Sequence, residues 1–262
     1  MQGSKNISFN YLAVAEIRFV IDADLPNLMG KGQAYFGYAK YSGFSVLQNQ
    51  SIKLENFGEQ KMLVPTIHKT YAFTNEGLTR QFILNEHCLA FKVTDFEDFE
   101  SFVTLFQEGI YIANKLLNIA TTHRMGFRLL KRIMPKPDVS LKDYLQPSEA
   151  KLLGRFGGLS EYSHTEVAHQ FNDIHLLHRV KTCPNSGLEL PKDIHANDMT
   201  FIPEVLAYQG PSIFLDSDGY MEKNQELSLV TVKDNLKKIH GILKLAFKSS
   251  VSNLALREIG FH

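Results

Sequence analysis

Residues 87–133 read HCLAFKVTDFEDFESFVTLFQEGIYIANKLLNIATTHRMGFRLLKRI, and the change of period inside this stretch decides the fold. His87 to Thr94 reads as a strand. From Asp98 the apolar residues Phe99, Phe102, Val103, Phe106, Ile110, Ala113, Leu117 and Ala120 recur near every 3.6 positions, which puts them on one stripe of a helix. The acidic residues Asp95, Glu97 and Asp98 precede that stripe and suit the positive end of a helix dipole. From Arg124 to Ile133 the chain alternates again. Met125, Phe127, Leu129 and Ile133 face one way, and Arg124, Arg128 and Arg132 face the other. A strand, a long amphipathic helix and another strand follow one another.

Upstream, Ala15 to Asp22 alternates as a half-buried strand, with Ala15, Ile17, Phe19 and Ile21 on one face. Gly30, Gly32, Gly37 and Gly43 punctuate a region of no clear period. Val64 to Phe73 and Leu78 to Leu84 then read as strands joined by turns at Asn75-Glu76-Gly77 and Asn85-Glu86, a meander that leads into the long helix. Downstream, Pro135 to Gly158 is the best internal boundary and holds a short helix predicted from Ser148 to Phe156. Glu161 to Phe171, Ile174 to Cys183 and Ser212 to Met221 read as strands, with Phe201 to Tyr208 a weaker one. Val232, Leu236, Ile239, Leu243 and Phe247 form a second helical stripe. The expected fold is α+β: two antiparallel β-meander-plus-long-helix units, residues 1–134 and 135–262, that can share one domain and suggest an internal duplication.

Composition supports a packed protein. Of 262 residues, 44% are hydrophobic, with 19 Phe and 10 Tyr to fill a core. Positive and negative side chains balance at 28 each, which disfavours a surface built to coat nucleic acid or anionic membrane. The N-terminal ten residues lack the apolar core of a secretory signal, and the longest apolar stretch, Ile110 to Ala120, is interrupted by Asn114 and Lys115. A cytoplasmic, microbial-type protein with no membrane association is expected. Cys88 and Cys183 stand outside any CxxC or Cys/His spacing and read as reduced, partly buried thiols.

The opening strand AEIRFVIDAD (15–24), the strand HRMGFRLLKRI (123–133), the strand SIFLDSDGY (212–220) and the closing VKDNLKKIHGILKLAFKSSVSNLALREIGF (232–261) together span nearly the whole chain. In order and hydrophobic pattern the chain resembles a family of sporadically distributed bacterial proteins without an assigned enzymatic class. The resemblance implies carriage on mobile or defence-related loci and supplies no catalytic residues. The segment MGFRLLKRI departs from it, because the family tends to have a more aromatic and polar strand there.

Arg124, Arg128 and Arg132 are the sharpest chemical feature, since alternate residues of a strand share a face; Lys131 and Lys136 lie nearby in sequence. Such a row suits planar, bidentate recognition of phosphates, as in a sheet that holds a nucleotide or single-stranded nucleic acid. The ordinary alternative is pairing with carboxylates of neighbouring strands, for which Glu16 and Asp22 are available. The run HTEVAHQFNDIHLLHRV carries His164, His169, His175 and His178. With Asn172-Asp173 as a two-residue loop, His169 opposes Leu176 and Val167 opposes His178, so His169 and His178 are diagonal neighbours on one face. Two histidines without a third ligand fall short of a zinc site, and they read as weak metal candidates beside the reading as hydrogen-bonded core residues. Asp216 and Asp218 before Gly219 fail the register of a calcium loop. P-loop, dinucleotide, nucleophile-elbow and zincin motifs do not occur in the sequence. No cofactor and no catalytic residue is assigned. The leading expectation is a non-enzymatic interaction or regulatory protein with a protein partner. The alternatives are a single-stranded nucleic-acid or nucleotide binder using the arginine row, and a metal-dependent enzyme around His169 and His178.

Overall fold

The computed structural model describes residues 8–21, 28–52, 68–151, 153, 162–183, 187–194, 196 and 198–260. The chain forms β1 (Ser8–Ile21), α1 (Leu28–Ala39), β2 (Val46–Ile52), β3 (His68–Thr74), β4 (Arg80–Leu84), β5 (Cys88–Val93) and α2 (Phe99–Leu117). It continues through β6 (Ile119–Ile133), α3 (Pro147–Ala150), β7 (Ser163–Phe171), β8 (Ile174–Cys183), α4 (Pro203–Ala207), β9 (Ser212–Glu226), α5 (Leu229–Ser250) and α6 (Asn253–Ile259). The nine strands make one antiparallel sheet in the order β2-β3-β4-β5-β1-β6-β9-β8-β7. The α+β class is as the sequence predicts, and the two halves share one pattern, five strands in the first and four in the second among the described residues. In each, an opening strand is followed by a meander whose last strand returns to pair with the opening one, β5 with β1 and β9 with β6, and a long helix comes next. The opening strands β1 and β6 pair antiparallel at the centre. The second repeat therefore starts with β6, directly after Asn118, and the sheet runs unbroken past the boundary expected at 134.

Local chemistry fixes these elements. Asp98 caps α2 by accepting from the Ser101 amide, and Asn118 ends it in the left-handed region at φ 49°. Ser228 caps α5 in the same way through Thr231. At the β3–β4 turn, Asn75 Oδ1 accepts from the amides of Thr79 and Arg80, both at 2.9 Å. The stripe of α2 is buried at Phe102, Val103, Phe106, Ile110, Ala113 and Leu117, while Ala120 belongs to β6 and is exposed. Helices α1, α2 and α5 cover one face of the sheet and share its main apolar core. A smaller core at one end of that layer joins Tyr144, Leu153 and Val251 to Ile133 and Ile213. Among the described residues no helix is long and apolar enough to cross a membrane.

Three expectations change. The glycine-punctuated region contains α1, and Phe201 to Tyr208, read as a strand, holds α4 with Pro203 in its first turn, where a missing N–H is harmless. The helix predicted from Ser148 spans only Pro147–Ala150 within the described residues, and Asp22 and Val64 to Ile67 lie outside them.

Helix α2 comes so close to the sheet that Gly109 has no room for a methyl group. A Cβ there would lie 2.3 Å from Phe82 Cε1 and 2.6 Å from Cζ. The Phe82 ring cannot retreat, because it is held between Phe91 at 4.4 Å and Phe44 at 4.8 Å. Gly109→Ala gains up to about 1 kcal/mol of helix propensity but overpacks the core at a cost of about 1–3 kcal/mol. We expect a net loss, read as a lower urea midpoint at unchanged slope.

Candidate functional site

The sheet face turned away from the long helices carries the arginine row. Register places it in a grid. Cys88, Arg18, Arg124 and Glu222 stand side by side across β5, β1, β6 and β9, and Lys92, Val14, Arg128 and Asp218 stand side by side four residues along. Between these rows lie Ala90, Glu16, Gly126 and Tyr220, and the small residues leave a depression of about 430 Å³ at the middle of the sheet. The described residues 187–194, 196 and 198–211 close one end of this face. Their Ala196, Met199, Phe201 and Val205 pack on Tyr11, Leu12, Leu130 and Phe214. The cover is tied down by Thr200 N to Leu78 O at 2.8 Å and by Tyr11 Oη donating to Glu189 O at 3.1 Å.

The three arginines do share a face, but they do not present a free cationic edge. Arg132 is fully buried under the cover and donates to Val205 O (2.6 Å), Tyr208 O (3.0 Å) and Ser212 Oγ (2.9 Å). Arg128 forks onto Asp216 at 2.7 and 2.6 Å and reaches Asp193 of the cover. Arg179 of β8 also donates to Asp216, at 3.0 Å. Arg124 pairs with Glu222 at 3.2 Å and lies over the Tyr220 ring. The pairing carboxylates come from β9 and the cover, whereas Glu16 pairs with its own neighbour Arg18 at 2.7 Å. Lys131 must be removed from the set altogether. Its parity puts it with Leu129 and Ile133 on the helix side, where its ammonium sits 4.0 Å from the Phe247 ring centroid.

The depression is therefore a polar surface of nearly balanced charge. Arg18, Lys92, Arg124 and Arg128 line it together with Glu16, Asp193 and Asp218. Burial lowers the Lys92 ammonium to about 8, against the pull of Glu16 and Asp198. Burial, helped by Glu16, holds the Cys88 thiol well above its ordinary value, which keeps it protonated. Burial also raises the Asp218 carboxyl, a shift that Arg128 opposes. A surface with its guanidiniums already paired can hydrogen-bond a neutral or zwitterionic group, but it lacks the one-sided field that draws a polyanion.

The β7–β8 hairpin has the register expected of it, with His169 opposite Leu176 and Val167 opposite His178. The two histidines nevertheless part company. His178 is buried, 2.8 Å from Ser217 Oγ through Nδ1 and 2.8 Å from Ser250 Oγ through Nε2. His169 is exposed beside Phe171. Among the described residues no three His, Cys, Asp or Glu side chains converge as a metal-binding group. Cys88 and Cys183 are thiols, and Cys183 donates to Glu189 Oε1 at 3.7 Å.

Strand β7 is the feature that the sequence did not single out as functional. It ends the sheet, none of its nine residues is buried, and Val167 is 39% exposed. Its neighbour β8 alternates between buried and half-buried positions, so the sandwich of helix and sheet stops at β8 and β7 projects beyond it. Among the described residues no strand pairs with its outer edge. The signal available in the sequence was the near absence of large apolar residues from SHTEVAHQF, which marks an edge and not a central strand.

No family model matches the chain, and no curated protein matches it either.

Proposed function

We propose that the protein works by recognition without turnover: it binds a protein partner in the cytoplasm, as an accessory or regulatory component of a bacterial mobile or defence locus. The family resemblance supports the setting, and strand β7 supports the mode. An exposed edge strand offers a row of backbone donors and acceptors that an extended segment of a partner can extend by strand addition. The row is nine residues long, and it carries neither proline nor lysine, the residues that commonly block such pairing.

Strand addition makes a position-specific prediction. In an antiparallel pair each residue turns both its N–H and its C=O to the same side, and successive residues alternate. Of the variants Val167→Pro and Ala168→Pro, one therefore loses an outward donor and leaves the ladder to β8 intact, while the other breaks that ladder. The test is co-expression with the product of each adjacent gene. The expected result is a stoichiometric complex in gel filtration, with slowed amide exchange at residues 163–171. The outward proline should weaken that complex at least about tenfold, about 1.4 kcal/mol, at unchanged melting temperature. A complex that leaves exchange in β7 untouched, or failure of every adjacent product to bind, would remove the reading.

A further inference from the structure

On its helix side the sheet holds a second cavity, of about 290 Å³, built independently of the edge strand. Lys131 lies on its floor, flanked in register by Asn10 of β1 and Leu215 of β9, with Leu129 and Ser217 in the next row. His240, Leu243, Lys244 and Phe247 of α5 form the roof, and Phe96 and Phe99 close the end where α2 begins. The walls are leucine and phenylalanine, and His240 extends them by stacking on Phe99 with ring centroids 4.1 Å apart. The volume is at the low end of small-molecule pockets and equals that of about ten water molecules.

The lining carries two lysines, Lys131 and Lys244, and two carboxylates, Glu97 and Asp98, and of these four only Lys131 is not exposed. Among the described residues Lys131 makes no ion pair, and its ammonium lies against the Phe247 ring. Lys244 lines the cavity from α5 and is exposed. Burial and then Lys244 bring the Lys131 ammonium down to about 8. Burial, Lys244 and Lys131 bring His240 to about 4, with only Glu100 pulling the other way. Glu97 and Asp98 stand at the rim, exposed, and Asp98 is engaged in capping α2. Asn10 adds a side-chain oxygen that is buried without a hydrogen-bond partner. Rotated about its last torsion, the same amide turns an N–H donor in place of that oxygen. An apolar chamber whose half-buried ammonium has no internal carboxylate to balance it among the described residues is complementary to an apolar molecule that brings its own anion.

We propose that this cavity binds an amphipathic monocarboxylate of about ten non-hydrogen atoms in all, whose carboxylate meets Lys131 and Asn10. The probe is octanoate, with 1-octanol as its neutral counterpart, titrated calorimetrically into the full chain at pH 7. Saturable one-to-one binding of octanoate at least tenfold tighter than that of octanol is expected. Lys131→Met keeps the chain's apolar contact with Phe247 and should abolish the preference while octanol still binds. Leu243→Trp fills the chamber and should abolish both. Because the carboxylate stabilises the ammonium, binding to the wild type at pH 9 should also take up protons, seen as a dependence of the measured heat on the buffer. That last arm decides the matter even if a variant fails to fold. Absence of saturable octanoate binding, equal affinity for octanol, a preference that survives in Lys131→Met, or binding at pH 9 without proton uptake would each overturn the assignment.

Discussion

Replacing Arg132 by alanine should lower the unfolding free energy by about 3–5 kcal/mol, the largest effect expected of any single polar side chain here. Arg132 joins the sheet to its outer cover. It rises from β6 and donates to the carbonyls of Val205 and Tyr208, which belong to the cover, and to Ser212 Oγ at the start of β9. Its guanidinium also lies 5.2 Å from the Tyr208 ring and 5.1 Å from the Phe214 ring. Truncation leaves two buried acceptors and the part-buried Tyr208 O without this donor, at about 1 kcal/mol or more for each buried one, and opens a cavity beside Phe214. The cost of burying the cation, which lowers its pKa, is recovered in the variant and keeps the net loss at the stated size. Arg132→Met fills the volume but donates nothing, so it should lose less than alanine. Arg132→Lys keeps a charge but cannot span acceptors on two segments with a planar fork. The expected order of stability is Arg, Lys, Met, Ala, measured by urea unfolding. Amide exchange at residues 203–208 should rise before the rest of the sheet does. An alanine variant within about 0.5 kcal/mol of the wild type would show that the cover is held by its apolar contacts alone.

The same residue marks where sequence legibility stops. Alternation put Arg124, Arg128 and Arg132 on one face of β6, and that parity is right. Parity could also have excluded Lys131, an odd-numbered neighbour of Leu129; nearness in sequence was the wrong criterion for grouping it. Which side chains neutralise the row was not legible, because it depends on β9 being the strand beside β6 and on an aperiodic connection folding back over the face. Helix α1 escaped notice because glycines at 30, 32 and 37 weaken its helical signal. The glycine at 32 has a tertiary reason, since a Cβ there would lie 2.9 Å from the Tyr71 ring. The β7–β8 register, by contrast, followed from a two-residue loop and strict alternation, both local properties of the chain.

Acid should destabilise the protein between pH 6.5 and 4 through two histidines that folding keeps neutral. Burial lowers His178 and His240 from 6.5 to about 4 each. The His178 surroundings explain why the proton is refused. Ser250 Oγ donates to Ala246 O at 3.1 Å, so the imidazole N–H at Nε2 donates to Ser250 and Nδ1 accepts from Ser217. A second proton, at Nδ1, would face the Ser217 hydroxyl hydrogen and force it to turn away. His240 is held neutral by burial and by the nearby charges of Lys244 and Lys131, which its own protonation would oppose. The sign follows from linkage: below 6.5 the unfolded chain binds protons that the folded one declines until about pH 4, so stability falls as pH falls through that window. The loss is up to about 3 kcal/mol for each group. His178→Gln retains an acceptor for Ser217 and a donor for Ser250 without titrating, and His240→Phe retains the stack on Phe99. Each substitution should remove about half of the pH dependence of the urea midpoint between pH 6.5 and about 5, and together they should flatten that part; nearer pH 4 the lowered carboxyls of Asp193 and Glu258 add their own loss. A wild-type profile already flat from pH 6.5 to 4 would mean that both imidazoles accept protons without disturbing the helix layer, and that α5 rides more loosely on β8 and β9 than its buried contacts imply.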